Sequence, residues 1–339
     1  MTIDLDPSPA PPRRRRRWPW VVGWSLFGMI VIAVGILSVY TLTLANTYND
    51  SVTKIPEGDA FPKSSVRPGP VSPKLAEAQN ILLLGSDTRG EVGADLDSIR
   101  GQRSDTIMVV HVPADSSGIQ VMSIMRDNWV TIPGYGEHKI NAALAFGGVP
   151  LTVQTVESLI GVRIDHVAIV DFSGFTMLTN ALGGVTVDNA VPFTRDRTTY
   201  AAGPITLYGP QALGFVRERY SFVDGDYQRV RNQQAFIKGV ITKMLSKDTL
   251  TNPGRIANVV ASISPYVTVD SGMDVGYLAN LGFRLRGLRS EDITFFTSPT
   301  LGTGTSEDGQ SIVLPDWDGL AQVAEAFRTD TVAQYAATH

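Results

Sequence analysis

The chain has 339 residues, 43% of them apolar, which is enough for one large domain or two small ones with a sizeable core. Its formal net charge of −4 gives no global attraction to nucleic acid, and the absence of cysteine excludes disulfides and thiol chemistry. With four histidines, none at His-x3-His spacing, the usual zinc site has no ligands to draw on.

In chain order, the first feature is an unbroken basic run, Arg13 to Arg17. From Trp18 to Ala45 no residue is charged. That stretch as a helix is roughly 42 Å long, enough to cross a hydrocarbon core of about 30 Å. Trp18, Trp20 and Trp24 stand where interfacial rings belong, and the arginines put the N-terminus in the cytoplasm. The expected organisation is a cytoplasmic tail over 1–17, a signal anchor over 18–45, and everything beyond it outside the cell. A cleaved signal peptide is the competing reading, but its apolar region is usually about 7 to 15 residues. Residues 46–75 carry Pro56, Pro62, Pro68, Pro70 and Pro73 and read as an extended spacer. A domain over 76–330 and a tail over 331–339 complete the chain.

Within the domain, Ile81 to Leu84 closed by Gly85 suits a strand buried on both faces. Strands are expected at 105–112 and 119–125, separated by the turn PADSSG. HKINAALAFGG (138–148) reads as a helix ended by glycines, and Pro150 opens another that runs to about Ile160. HVAIVDF (166–172) is a strand, SGFTMLTNALGG (173–184) a serine-capped helix, VTVD a strand, and Pro210 begins a further helix. After residue 250 the pattern gives a helix near 274–288, strands at 292–297 and 311–314, and a helix near 316–328. Strands alternating with helices imply a layered α/β domain.

The charges break this pattern in two places. In VRERYSFVDGDYQRVRNQQAFIKGVITKML (216–245), Asp226 is at or near a helix N-cap. Taking 100° per residue, Val230, Ile237, Val240, Ile241 and Met244 fall on one face, and Arg229 and Gln233 fall on it too. Charges on the core face need partners, so either an ion-pair network or a ligand meets them. Secondly, if the strands at 81–85, 106–112 and 119–125 run up, down and up, one sheet edge collects Asp87 and Arg89, Arg103 and Asp105, and Arg126 and Asp127. Arg89 and Asp127 there read as exposed turn residues. Arginines with carboxylates suit a diphosphate bound with a divalent cation. The P-loop, G-x-S-x-G and H-E-x-x-H motifs are absent from the sequence. A lipid-linked diphosphate fits an anchored domain better than ATP, and ALAFGG, FTMLTNALGG and IKGVITKML are candidate walls for its tail.

NILLLGSDTR, RSDTIMVV, SIMRDNWV, HKINAALAFGG, ALGGVTVD and ALGFVRERYSFVDGDYQRVRNQQ, spanning about 80–245, resemble the LytR-CpsA-Psr family of membrane-anchored phosphotransferases. The resemblance implies a three-layer α/β/α domain with a central mixed β-sheet, preceded by one transmembrane helix, with a deep apolar pocket. It implies transfer of a glycopolymer phosphate from a polyprenyl diphosphate carrier to a sugar hydroxyl of peptidoglycan, at the outer face of a Gram-positive-type cell membrane. By motif, Asp87 and Asp105 look like the carboxylates of a Mg2+ (or Mn2+) ion, while Arg103, Arg126, Arg217, Arg219 and Arg229 look like diphosphate ligands. Asp226, Gln233 and Lys139 look like polar members of the same pocket. Met125 stands where the family often has proline. Which group takes the proton is left open, with Asp87, Asp105 and Asp226 as candidate bases, and nothing is carried over beyond residue 245. A lipid-diphosphate hydrolase would use the same residues, and an anchored wall-binding or regulatory protein would need them only as structure.

Overall fold

The computed structural model describes residues 38–69, 72–86 and 104–338. The expected anchor lies mostly outside them; residues 38–45, at its end, are helical. Strands β1 (Thr53–Ile55), β2 (Gln79–Ser86), β3 (Ser104–Val112) and β4 (Ile119–Ile124) come first, followed by the hairpin β5 (Trp129–Ile132) and β6 (Gly136–Lys139). Helix α1 (Ala142–Ile160), β7 (His166–Asp171) and α2 (Phe172–Ala181) follow. Four short strands, β8 (Val185–Asn189), β9 (Phe193–Arg195), β10 (Thr198–Tyr200) and β11 (Gly203–Leu207), lead to α3 (Gly209–Arg217) and α4 (Asp226–Met244). The remainder is α5 (Pro253–Ile263), β12 (Val267–Asp270), α6 (Val275–Arg284), β13 (Ile293–Thr297), β14 (Thr300–Thr305), β15 (Ser311–Pro315), α7 (Trp317–Arg328) and α8 (Val332–Ala336).

Seven strands form the central mixed sheet in the order β1-β12-β7-β2-β3-β4-β13. β2 and β3 are antiparallel, as are β3 and β4, while β7 runs parallel to β2. The up-down-up arrangement is therefore present. It brings the end of β2, the start of β3 and the end of β4 to one edge.

Strand pleating sends alternate residues to opposite faces. Leu82, Leu84, Ile107 and Val109 pack with α1, α7 and α8 on one face. Met108 and Val121 meet Ile237 and Ile241 of α4 on the other, and Ala168 and Val269 meet Tyr277 and Leu278 of α6. The result is three layers, α/β/α. A second core of Val185, Phe193, Tyr200, Phe215 and Phe236 lies under β8–β11, α2 and α3. α1 is long and apolar enough to cross a membrane, but Val153, Val156 and Ile160 are fully buried and it is a core helix.

Several expectations are corrected. The proline-rich stretch at 46–75 contributes β1 to the sheet, with Ile55 and Ala60 fully buried, and Arg67 makes a buried ion pair with Glu157 at 2.6 Å. The C-terminal stretch carries α8, whose Val332 is buried in the core. His138 and Lys139 are in a strand, and the helix starts only at Ala142. α1 is interrupted at Gly147 and Gly148, as the paired glycines imply; Gly148 has φ 66° and ψ −155°, accessible to glycine but not to residues with a Cβ. The cap of α2 is Asp171, which accepts from the Gly174 N–H at 2.7 Å, in place of the expected serine.

Candidate functional site

At the edge where β2, β3 and β4 converge, Arg126 follows the end of β4 and reaches across to Asp105, near the start of β3, with Nη1 to Oδ1 at 2.6 Å. The backbone of this turn is held from two sides. Ile140 N–H donates to Asn128 O at 2.8 Å, Asn141 N–H to Arg126 O at 3.2 Å, and Val313 N–H to Asp127 O at 2.9 Å. Met125, just past the end of β4, packs with Val230 of α4 and Val313 of β15, an apolar contact next to the arginine.

α4 brings the second half of the site. Gly225 is its N-cap and Asp226 its first residue. Asp226 lies 3.2 Å from Arg229, 3.5 Å from Arg126 and 3.6 Å from Arg219, so one carboxylate orients three guanidinium groups. Asp127 lies 3.7 Å from Arg126 and 3.5 Å from Lys139. Burial pushes the Asp127 carboxyl up, its hydrogen bond with Asp226 pushes it further, and Arg126 and Lys139 only partly oppose this. Asp226 behaves in the opposite way. Burial raises it, but Arg229, the hydrogen bond from Asp127, Arg126 and Arg219 together hold it below the usual carboxylate range. The pair therefore divides one proton unequally, with Asp127 the better proton holder. Burial and then Arg126 lower the Arg229 guanidinium, which nonetheless stays protonated at any physiological pH.

Above this network is a cavity of about 190 Å³ lined by Asp105, Thr106, Arg126, Phe172, Arg195, Val216, Arg217, Arg219, Tyr220, Arg229 and Gln233. Its surface carries five arginines against one carboxylate, so it attracts anions. Arg126 Nε faces Asp226 and Asp127 at 3.5 and 3.7 Å, beyond good hydrogen-bond length, and Arg229 Nε is buried without a hydrogen bond among the described residues. Arg217 stacks over the Phe172 ring at 4.5 Å, and Gln233 donates to Val216 O at 3.4 Å.

A second cavity, about 210 Å³ and apolar, is lined by Leu83 and Leu84 of β2, Phe175 and Leu178 of α2, and Phe236, Ile237 and Val240 of α4. Both cavities are bordered by Thr106, Phe172, Val216 and Gln233, so the polar space adjoins the apolar one. FTMLTNALGG and IKGVITKML supply walls; ALAFGG does not. Ile237, Val240, Ile241 and Met244, which share the apolar face of α4, are half-buried, and Ile237 and Val240 face this cavity.

Of the residues singled out in the sequence, Asp105, Arg126, Lys139, Arg219, Asp226 and Arg229 meet in one ion-pair network, and Arg217 and Gln233 line the cavity. Asp87 and Arg103, like Arg89, lie outside the described residues. Two residues were missed. Asp127 is a partly buried member of the network and not an exposed turn residue. Arg195 lines the cavity from β9 and pairs with Glu218 at 3.4 Å. Adjacency to Arg126 was a signal for Asp127; nothing local marks Arg195. Among the described residues no three His, Cys, Asp or Glu side chains are grouped to hold a metal. One carboxylate, Asp105, beside an arginine-lined anion space suits Mg2+, which binds through one or two carboxylates plus substrate phosphates.

The LytR_cpsA_psr family model matches residues 39–329. The polyisoprenyl-teichoic acid–peptidoglycan teichoic acid transferase TagU of Enterococcus faecalis is 33% identical over 254 residues, covering 74% of this chain and 79% of that protein. The cell wall biosynthesis protein LcpA of Corynebacterium glutamicum is 31% identical over 279 residues, covering 70% of this chain and 53% of that protein, so the chain spans about half the length of this relative. The crystal structure of B. subtilis TagV is similar with a TM-score of 0.64 at 26% identity, covering 75% of this chain and 97% of that one.

Proposed function

The chain belongs to the LytR_cpsA_psr family, and we propose that it transfers a glycopolymer phosphate from a polyprenyl diphosphate carrier to a sugar hydroxyl of peptidoglycan. The observation that carries this reading is the junction of the two cavities. A ligand filling both has a diphosphate at the arginines and a hydrocarbon tail among Leu83, Phe175, Ile237 and Val240. The name of the Enterococcus relative, a teichoic acid transferase to peptidoglycan, agrees with it, as does the cell wall biosynthesis named for the Corynebacterium one.

The acceptor oxygen attacks the phosphorus next to the glycan. A P–O bond forms to that oxygen, the anhydride P–O bond breaks, and polyprenyl phosphate leaves. Arg126, Arg217, Arg219 and Arg229 hold the diphosphate and spread its charge, which is most of what phosphoryl transfer requires. Asp226 fixes three of those arginines in place. The acceptor proton passes to the Asp127–Asp226 pair, where Asp226 starts ionised. Mg2+ or Mn2+ held by Asp105, with Asp87 as the second carboxylate, would supply further neutralisation of the phosphate oxygens. The uncharged stretch from Trp18 to Ala45 would keep the domain at the membrane beside its lipid-linked donor.

The test is a transfer assay with a labelled lipid-linked glycopolymer, with and without peptidoglycan. Label should become covalently attached to the acceptor, and Arg126→Ala should lower the rate by roughly 10²-fold or more. Release of label at the same rate whether or not acceptor is present would replace transfer with hydrolysis. No turnover by the wild type would leave a binding protein.

A further inference from the structure

The hairpin β5–β6 grows out of the charged cluster. Its last residue, Lys139, lies 3.5 Å from Asp127, and the residues just after it hydrogen-bond the backbone of Arg126 and Asn128. Away from that root the hairpin carries aromatic rings that neither cavity uses. Tyr135 stacks on Phe146 with centroids 4.7 Å apart and planes 16° apart, and its hydroxyl donates to Phe146 O at 3.1 Å. His138 stands edge-on to Phe146 at 5.0 Å. Tyr135 is 49% exposed and Phe146 37%, so two large rings are spent on the surface where burial would be more favourable.

We propose that Tyr135, His138 and Phe146 form the subsite that seats sugar rings of the acceptor glycan beside the charged cluster. This rests on the transfer reading above. The arginine cavity and the apolar cavity accommodate the donor, so the acceptor hydroxyl has to arrive from the solvent side. The apolar C–H face of a pyranose complements the electron-rich face of an aromatic ring, and its hydroxyls suit the polar edges of tyrosine and histidine. From Lys139 back to the hairpin tip is three to four residues, about 10 Å of strand, on the order of a disaccharide. A glycan with one sugar on the rings would extend from there toward the root of the hairpin, where Lys139 pairs with Asp127.

The experiment titrates the full chain, in detergent micelles, with a tetramer of N-acetylglucosamine and with muramidase-released peptidoglycan fragments, following intrinsic fluorescence. Saturable binding is expected. Tyr135→Ala should weaken it about tenfold, the scale of one lost aromatic contact. Tyr135→Phe should keep it. In the transfer assay Tyr135→Ala should raise the acceptor KM with little change in kcat, and its thermal shift with a short prenyl diphosphate should match wild type, which also verifies its folding. Equal glycan affinity in wild type and Tyr135→Ala overturns the subsite, whatever the transfer assay gives. So does loss of binding to anionic phospholipid vesicles, in place of glycan, when the ring is removed. Tyr135-dependent glycan binding in a wild type that transfers nothing keeps the glycan surface and overturns the reaction assigned to the cluster.

Discussion

Asp226 and Asp127 differ in what surrounds them more than in how deeply they sit. Asp226 touches three guanidiniums and is held low; Asp127 has its charge partly answered by Arg126 and Lys139 and is held high. The consequences for stability are opposite in sign. For Asp127, folding favours the protonated form, so its contribution is full below the unfolded value of about 3.9 and is lost as pH rises through its higher folded value. For Asp226 the contribution is present above the unfolded value and lost as pH falls through its lower folded value. Asp127→Asn keeps a donor toward Asp226 and removes the group that resists ionisation. Urea unfolding of the ligand-free protein at pH steps from about 4 to 8 should therefore find the variant gaining on wild type as pH rises. Parallel curves would mean that Asp127 carries no raised pKa. The same residues mark how far the sequence could be read. Arg229 and Gln233 were legible because they stand on the apolar face of a helix, where unpaired polarity is costly. Asp127 was misjudged because a turn beside a strand end has no periodicity to orient it. Arg195 comes to the cavity from a three-residue strand whose position depends on the whole second core.

At the scale of elements, the site depends on how closely α4 approaches β8. A Cβ on Gly239 would lie 2.5 Å from Thr186 O and 2.9 Å from Val185 Cγ1. The backbone of β8 cannot yield cheaply, so Gly239→Ala should push the helix outward. Overpacking of this kind costs about 1–3 kcal/mol, against a helix-propensity gain of up to about 1 kcal/mol. A lower denaturation midpoint is expected, together with weaker prenyl diphosphate binding, because the displaced helix carries Asp226, Arg229 and Gln233. A more stable variant would show that the approach is slack. β2, β3 and β4 were readable because long apolar runs bounded by turn residues leave few alternatives. β9 and β10 have three residues each, too few for any period to register. The stretch at 46–75 was misread because its prolines indicate an extended chain, which β1 is, while the burial of Ile55 and the Arg67–Glu157 pair are tertiary facts.

At the scale of the molecule, an apolar cavity adjoins an arginine-lined one, and under the proposed function that pairing would select an amphipathic donor over a soluble one. The residues shared by the two cavities, Thr106, Phe172, Val216 and Gln233, stand at the boundary between the apolar and the arginine-lined space, where the proposed donor would pass from tail to head. Burying each methylene of a prenyl chain is worth up to about 0.8 kcal/mol, so wild-type affinity should climb with chain length until the apolar space is full. Val240 faces that space from α4 and lines only the apolar cavity. Val240→Trp should fill part of the roughly 210 Å³ and flatten the dependence on chain length, while inorganic diphosphate, which needs only the arginines, should bind as before. Thermal shifts across a series of prenyl diphosphates, with inorganic diphosphate as the tail-less member, read both limbs at once. If the chain-length dependence survives the tryptophan, the tail lies elsewhere and the coupling of the two cavities is not what selects the donor. If inorganic diphosphate binding falls as well, the two spaces are mechanically linked through α4, whose first turn carries Asp226 and whose C-terminal half carries Val240.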